Sequence, residues 1–425
     1  MSDKPLFTRL TQIEPSEFKG AAISFTFAFL LMASYFIAKP VRDSLASDFT
    51  DSQVANLWTQ TFLYSIGAVS LYNFLASKVS LKKLVPGVFL FFSLTFLLTA
   101  AAIKSGFNEV IVGKFFYVWI SVFALFHISV FWSFVSQLYT KAQSKRVFAF
   151  INTGASAGAI TGSLLMLHYL KNLPLESILL ITSSTLIVVL PLIAILRRTL
   201  DQQTDSEAAT NKLSSNPFSG FREFITHKRL IGISAFIFIF VGIGSFFYLA
   251  QKDILSAYPR PERKEILSRL DLYINTLTIL LGLFATNRIS KKFGLSTALA
   301  LVPALVAISL VLFATSPTVA MFLVLQVLRK AGNYSITRPS REILFTGVDK
   351  EARFKTKPFI DVAVYRGGDV FWAWFFVMLG TEGIFSLELP GKLLVGACVA
   401  VVWAILGFVL GKQHEKAEAL EQIKV

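Results

Sequence analysis

One cysteine, Cys398, occurs in 425 residues. That excludes an internal disulfide and any cysteine-based metal site, and its place in the last apolar run predicts a small, buried, apolar residue. No Gly-x-x-x-x-Gly-Lys-Ser/Thr loop occurs, so a P-loop ATPase is excluded. No zinc or nucleophile motif is present, and neither a metal, a cofactor nor an enzymatic activity is expected. Acidic residues are scarce, 26 against 41 Lys and Arg, for a net charge of +15. A basic excess can serve nucleic acid. Here most basic residues fall in short stretches between apolar runs, as cytoplasmic loops of membrane proteins do, so no nucleic-acid partner is expected.

What is abundant is apolar. The chain is 54% hydrophobic with 42 Phe, which places it among polytopic membrane proteins. A bilayer is crossed by about 20 apolar residues in a helix. Twelve such runs are predicted: 19–40, 55–77, 84–104, 111–138, 147–170, 175–197, 229–251, 268–287, 294–315, 317–337, 358–380 and 389–411. A polar stretch precedes the first run, which is long enough to span, so a retained helix is expected rather than a cleaved signal peptide. Residues 198–228 turn polar and read as a cytoplasmic linker between an N-terminal bundle, 1–197, and a C-terminal bundle, 229–425. With both termini cytoplasmic, the even-numbered loops collect Lys82, Lys83, Lys145, Arg146, Lys291, Lys292, Lys355 and Lys357, among others. Arg260, Arg263 and Lys264 break the pattern, and Pro259 and Pro261 beside them suggest a short amphipathic excursion.

The halves echo each other. Ser77-Lys78-Val79-Ser80-Leu81-Lys82-Lys83 closes the second run, and Asn287-Arg288-Ile289-Ser290-Lys291-Lys292 closes the eighth. Phe150-Ile151-Asn152 opens the fifth, and Phe359-Ile360-Asp361 opens the eleventh. The shared order points to an internal repeat. The expected fold is therefore an all-α membrane protein of two pseudo-symmetric six-helix bundles, the major facilitator architecture.

Charges inside such runs are expensive and default to function. Tyr35, Lys39 and Arg42 are spaced four and three apart on one helix face, with Asp43 next to them and Pro40 expected to kink or end the helix. Lys330, Tyr334, Arg338 and Arg341 form a second stripe, and Arg329 adjoins it. The eleventh run holds Asp361, Arg366 and Asp369; the last two, three apart, can pair. Cations without an equal number of nearby anions suggest a polyanionic ligand, and snorkelling to the interface is the competing reading for those near a helix end. Trp132 is a candidate for stacking on a base. Asp43, Asp361, Asp369 and Asn152 are candidates for coupling or gating. Gly154, Gly158 and Gly162 recur every four residues and read as a close-packing ridge. His127 reads as a core or lining residue.

These residues resemble the ATP/ADP translocase family of intracellular bacteria and plastids, in divergent form. Ile37-Ala38-Lys39-Pro40-Val41-Arg42-Asp43-Ser44-Leu45 is similar to the family's Ile-Leu-Arg-Asp-Thr-Lys-Asp-Thr-Leu, with Arg42 where the family has a lysine. Phe131-Trp132 and Lys145-Arg146-Val147-Phe148 match its Phe-Trp and Lys-Arg-Phe elements. Asn333-Tyr334-Ser335, Arg341-Glu342 and Lys357-Pro358-Phe359-Ile360-Asp361 through Arg366 match elements of its later spans. Ile120, Asn333 and Asp369 depart from it, standing where the family has Glu, Lys and Lys. The resemblance implies a nucleotide antiporter of a bacterial inner membrane, working as a monomer in the bilayer on an anionic small molecule. Lys39, Arg42, Lys330, Arg338, Arg341 and Arg366 would meet phosphates, and Tyr35, Tyr334 and Trp132 would contact base or sugar. A carrier of another organic anion, or a non-transporting membrane scaffold or sensor, remains as an alternative.

Overall fold

The computed structural model describes residues 13–201, 228–284, 286–348 and 360–423. Most of the expected linker and the basic residues Lys350, Arg353, Lys355 and Lys357 lie outside them. Among the described residues the backbone is helical, with no strand. Twelve helices carry the fold: α1 Pro15–Ala46, α2 Asp51–Lys78, α3 Leu81–Lys104, α4 Glu109–Leu138, α5 Lys141–Leu165, α6 Leu175–Asp201, α7 Lys228–Ser256, α8 Arg260–Phe284, α9 Thr286–Thr315, α10 Val319–Gly332, α11 Tyr365–Leu379 and α12 Leu389–Ile423. In hydrocarbon every backbone N–H must find its partner within the segment, so long apolar runs have no alternative to helix. Their starts are capped locally. Asn108 accepts from the amides of Val110 and Ile111, and Thr140 with Gln143 forms a capping box.

Among the described residues eight helices are long and apolar enough to cross a membrane: α1, α3, α4, α5, α6, α7, α9 and α12. The others, α2, α8, α10 and α11, are also where runs were expected. They fall short because α2 spreads Gln53, Asn56 and Gln60 along its length, α8 carries Arg269 and Asp271, and α10 and α11 adjoin wide π turns. The turn Asn333–Thr337 joins α10 to a short continuation, Arg338–Leu344, and Ile360–Val364 leads into α11. Gly294, at φ 81°, breaks α9 before its apolar part.

Two compact units result. The first takes in α1, α2 from Leu63 onward, α3 to α6, and Pro259–Leu272 of α8. The second takes in Ser47–Phe62, α7, α8 from Tyr273 onward, and α9 to α12.

Without a hydrophobic drive between helices, packing rests on small residues and hydrogen bonds. In the first unit α5 lies directly on the α1 backbone. A Cβ added at Gly158 would come 2.1 Å from the Phe29 carbonyl oxygen, and one at Gly162 would come 2.5 Å from that of Ala33. The Ser93 and Ser183 hydroxyls, 2.7 Å apart, tie α3 to α6. Phe27 meets Phe89 and Phe131 edge-on at the centre. The second unit repeats the device, for a Cβ at Gly411 of α12 would sit 2.3 Å from Ser296 Cα of α9.

Two expectations are corrected. Cys398 is exposed, not buried, and shares its helix face with Leu394, Val402 and Ile405, an apolar stripe that only a bilayer would cover. The basic stretch after α7 is no separate excursion; it forms the first turns of α8, because Pro261 fits a first helical turn. There Arg263 donates to the Ser44 carbonyl at 3.1 Å and Lys264 to the Leu173 carbonyl at 2.9 Å.

Gly158→Leu is expected to cost about 1–3 kcal/mol through overpacking, read as a lower unfolding midpoint in detergent. Gly87→Ala, where nothing lies within 4 Å, should be neutral or slightly stabilising. Burial, and secondarily Arg260, pulls the Lys264 ammonium down to about 8. From there to the ordinary lysine value of about 10.4 the folded unit holds fewer protons than the unfolded chain, so stability rises with pH. Wild type should therefore gain on Lys264→Met between pH 8 and 10; parallel unfolding curves for the two proteins would contradict this.

Candidate functional site

In the first unit α1 continues through Pro40 to Ala46, so the proline does not end it. Tyr35, Lys39 and Arg42 share the expected face, but neither cation awaits a ligand. The Lys39 ammonium pairs with the Asp271 carboxylate of α8; Lys39 keeps 15% of its side chain exposed and Asp271 5%. The Arg42 guanidinium bonds Asp43 at 2.7 Å and the Ser121 hydroxyl at 3.3 Å, 5.7 Å from the Tyr117 ring. Tyr35 stacks on His127 at 4.7 Å. His127 is buried, its Nδ1 against the carbonyls of Phe123 and Ala124. Two cations thus meet two carboxylates, against the expected local surplus of positive charge. Asp271 escaped the sequence reading, although a lone carboxylate in an apolar run is itself a signal.

The second unit holds a cavity of about 170 Å³ between α7, α10 and α11. Arg329 and Lys330 line it from α10, Asn333 and Tyr334 from the π turn, Tyr365 and Asp369 from α11, and Gly244 from α7. Arg329 is 6% exposed. Its Nε donates to the Gln326 side chain at 2.7 Å, and its guanidinium lies 4.9 Å from the centre of the Phe247 ring. Asp369 pairs loosely with Arg366 at 3.7 Å, as their spacing allowed. Arg341 donates to the Tyr365 hydroxyl and bonds Glu342 at 3.1 Å, so it reaches the cavity only through Tyr365.

The stripe expected from Lys330 to Arg341 assumed one uniform α-helix. The π turn breaks it. Lys330 and Tyr334 line the cavity, Arg338 is exposed and does not, and Arg341 is buried. Trp132 lies half-buried between Phe131 and Phe148, and Asn152 is exposed. Both belong to the first unit. The Asp361 side chain falls outside the described residues.

A third cluster was not legible. Asp51 of α2 accepts Lys252 of α7 at 2.7 Å and Lys392 of α12 at 2.8 Å, and Lys252 also bonds Asp253 at 2.7 Å. All three partners of this bridge across α2, α7 and α12 are largely buried, and their charges are mutually compensated. A larger groove of about 380 Å³ on the first unit, lined by Leu30, Leu180, Ile181 and Val188 among others, is mostly apolar. It has no charged group to orient a polar ligand.

Solved structures share this arrangement of helices. A bacterial homologue of the human lysosomal transporter Spinster, inward-facing and unoccupied, matches with a TM-score of 0.65 at 12% identity, over 95% of this chain and 98% of that one. The nucleoside transporter NupG matches at 0.64 and 13%, over 93% and 99%. A POT family transporter in complex with a thioalcohol-conjugated peptide matches at 0.67 and 12%, over 95% and 99%. The fold is that of the major facilitator transporters. No family model matches the chain, and no curated protein matches it in sequence. At such identities the likeness carries the major facilitator fold and leaves the substrate to the site.

Removing one member of a largely buried ion pair strands the other, which costs about 3 kcal/mol or more. Asp271→Asn should lower stability by that order, and Lys39→Met with Asp271→Leu should recover most of the loss. Unfolding in detergent of these two variants and of the single variants Lys39→Met and Asp271→Leu checks this; additive losses would mean that the two side chains do not act as a pair.

Proposed function

We propose that the protein is a secondary-active transporter that exchanges phosphorylated metabolites, nucleotides foremost, across a bacterial inner membrane, with both termini cytoplasmic. The observation that carries this reading is the cavity of the second unit between α7, α10 and α11, which Arg329 and Lys330 both line. Arg329, which no carboxylate among the described residues bonds, is costly there unless an anionic ligand meets it. The major facilitator fold supports transport, and the absent P-loop favours gradients over ATP hydrolysis as the driving force. The residue-level resemblance to ATP/ADP translocases supports nucleotides as the first class to test.

Within this reading Lys330, Arg366 and, through Tyr365, Arg341 form the phosphate-facing set. Tyr334 offers its ring to the base or sugar. Arg42 and Lys39 serve in the first unit, where the substrate must compete with Asp43 and Asp271 for them. Arg338 and Trp132 stand as outlying members of the set. Asp43, Asp361, Asp369 and Asn152 are the coupling or gating candidates, and Asp369, loosely paired, leads them.

Proteoliposomes preloaded with unlabelled ADP should take up labelled ATP or ADP faster than empty ones. Lys330→Gln should reduce that exchange at least tenfold. Uptake of a non-phosphorylated anion with no response to any nucleotide would favour the carrier of another organic anion. Ligand binding without uptake would favour a sensor.

A further inference from the structure

Arg329 differs from the cations described above that meet a carboxylate. Among the described residues no carboxylate bonds it, and its only polar contact is the neutral Gln326 side chain at 2.7 Å. It lies ten residues into α10, about 15 Å along a helix rising 1.5 Å per residue, and the helical path runs on beyond it through the π turn. With 6% of its surface exposed, it does not reach for an interface. An uncompensated guanidinium in such a place is destabilising, since isolated buried charge is among the costliest features a fold can carry. Its Nε is occupied, while the terminal amino groups border the cavity. Gly244 lies beside the guanidinium and lines the same cavity: a Cβ there would already stand 3.9 Å from Nη1, so a longer side chain at this position would cover that edge of the arginine.

Resting on the transport reading above, we infer that Arg329 is the residue that grips the substrate, through one terminal phosphoryl group held in the cavity that Arg329 and Gly244 both line. Two features define the ligand chemistry. A planar guanidinium presents a two-pronged donor set that matches a phosphoryl or carboxylate edge. Lys330, next in the chain, also lines the cavity, and on the transport reading above the anion that meets the guanidinium is a phosphoryl group. A space of about 170 Å³ admits that group and the first atoms behind it, so the remainder of a nucleotide lies outside this cavity. Tyr365 and Asp369 of α11 also line the cavity.

A site that awaits its ligand has a signature that a structural arginine lacks. Replacing Arg329 together with its hydrogen-bond partner should make the empty protein more stable, because an uncompensated charge is removed and no buried acceptor is left unmet. The test uses the purified full chain in detergent, with adenosine, AMP, ADP, ATP, inorganic phosphate and succinate as probes. Binding and thermal midpoints are measured for wild type, Arg329→Lys, Gly244→Leu and the double variant Gln326→Leu/Arg329→Met. Wild type should bind the phosphorylated nucleotides and ignore adenosine. The double variant should melt higher than wild type without ligand and bind about ten- to a hundredfold more weakly. Arg329→Lys should retain part of the affinity, and Gly244→Leu should lose it with every charge in place. Wild-type affinity in both Gly244→Leu and the double variant overturns the assignment of Arg329 while leaving the transport reading intact. Succinate bound as tightly as AMP, with the same dependence on Arg329, overturns the phosphoryl assignment in favour of a carboxylate. If wild type binds no phosphorylated probe, the transport reading itself falls.

Discussion

A charge inside a membrane helix costs several kcal/mol unless another charge, a dipole or a wet space meets it. The polar chemistry of this protein is arranged under that constraint. Lys39 has Asp271, Arg42 has Asp43, and Lys252 and Lys392 share Asp51. Apart from the adjacent Arg42 and Asp43, each pairing draws together helices remote in the chain, so satisfying a charge also fixes a tertiary contact. Such pairs gain little net energy over apolar residues of the same shape. What they supply is an arrangement that tolerates no single replacement, since losing one partner exposes the other to an environment that cannot hydrate it. Arg329 is the exception, and its position on a cavity wall turns an energetic liability into a functional clue.

The apolar scaffold answers to a different limit. Lipid is as apolar as leucine, so helices adhere only where backbones come close. The contact of Gly158 with the Phe29 carbonyl and the matching contact of Gly411 with Ser296 show that limit met on both units. Paired hydroxyls such as Ser93 with Ser183, and edge-on aromatic contacts around Phe27, complete the joins. Contacts of this kind leave α1 and α5 no freedom to slide past each other.

Much of this was readable from the residues. Apolar run length located the helices, and the four-residue glycine spacing located the α1–α5 contact, because both depend on local geometry. The Arg366–Asp369 pair was readable for the same reason. What was not readable depends on distant partners or on altered helical register. Asp271 lies 232 residues from Lys39, and no periodicity announces such a pair. The π turn at Asn333–Thr337 changes which face each later residue occupies, so the stripe drawn from Lys330 to Arg341 failed beyond Tyr334. Arg329 and Lys330 are one letter apart, and only the packing of Phe247 and Gln326 distinguishes their surroundings. Cys398 failed for a reason particular to membranes, where an apolar residue facing outward is as well solvated as one facing in.

The separation of Lys39 from Asp271 bears on how the chain is made. A ribosome adding about 5–20 residues per second needs roughly ten to fifty seconds to travel those 232 residues. During that interval α1 is already synthesised while its carboxylate partner does not yet exist. Early α1 must keep its ammonium near the headgroups, by tilting or by sitting higher in the bilayer, until α8 arrives. Completion of the ion pair is therefore a late event in biogenesis.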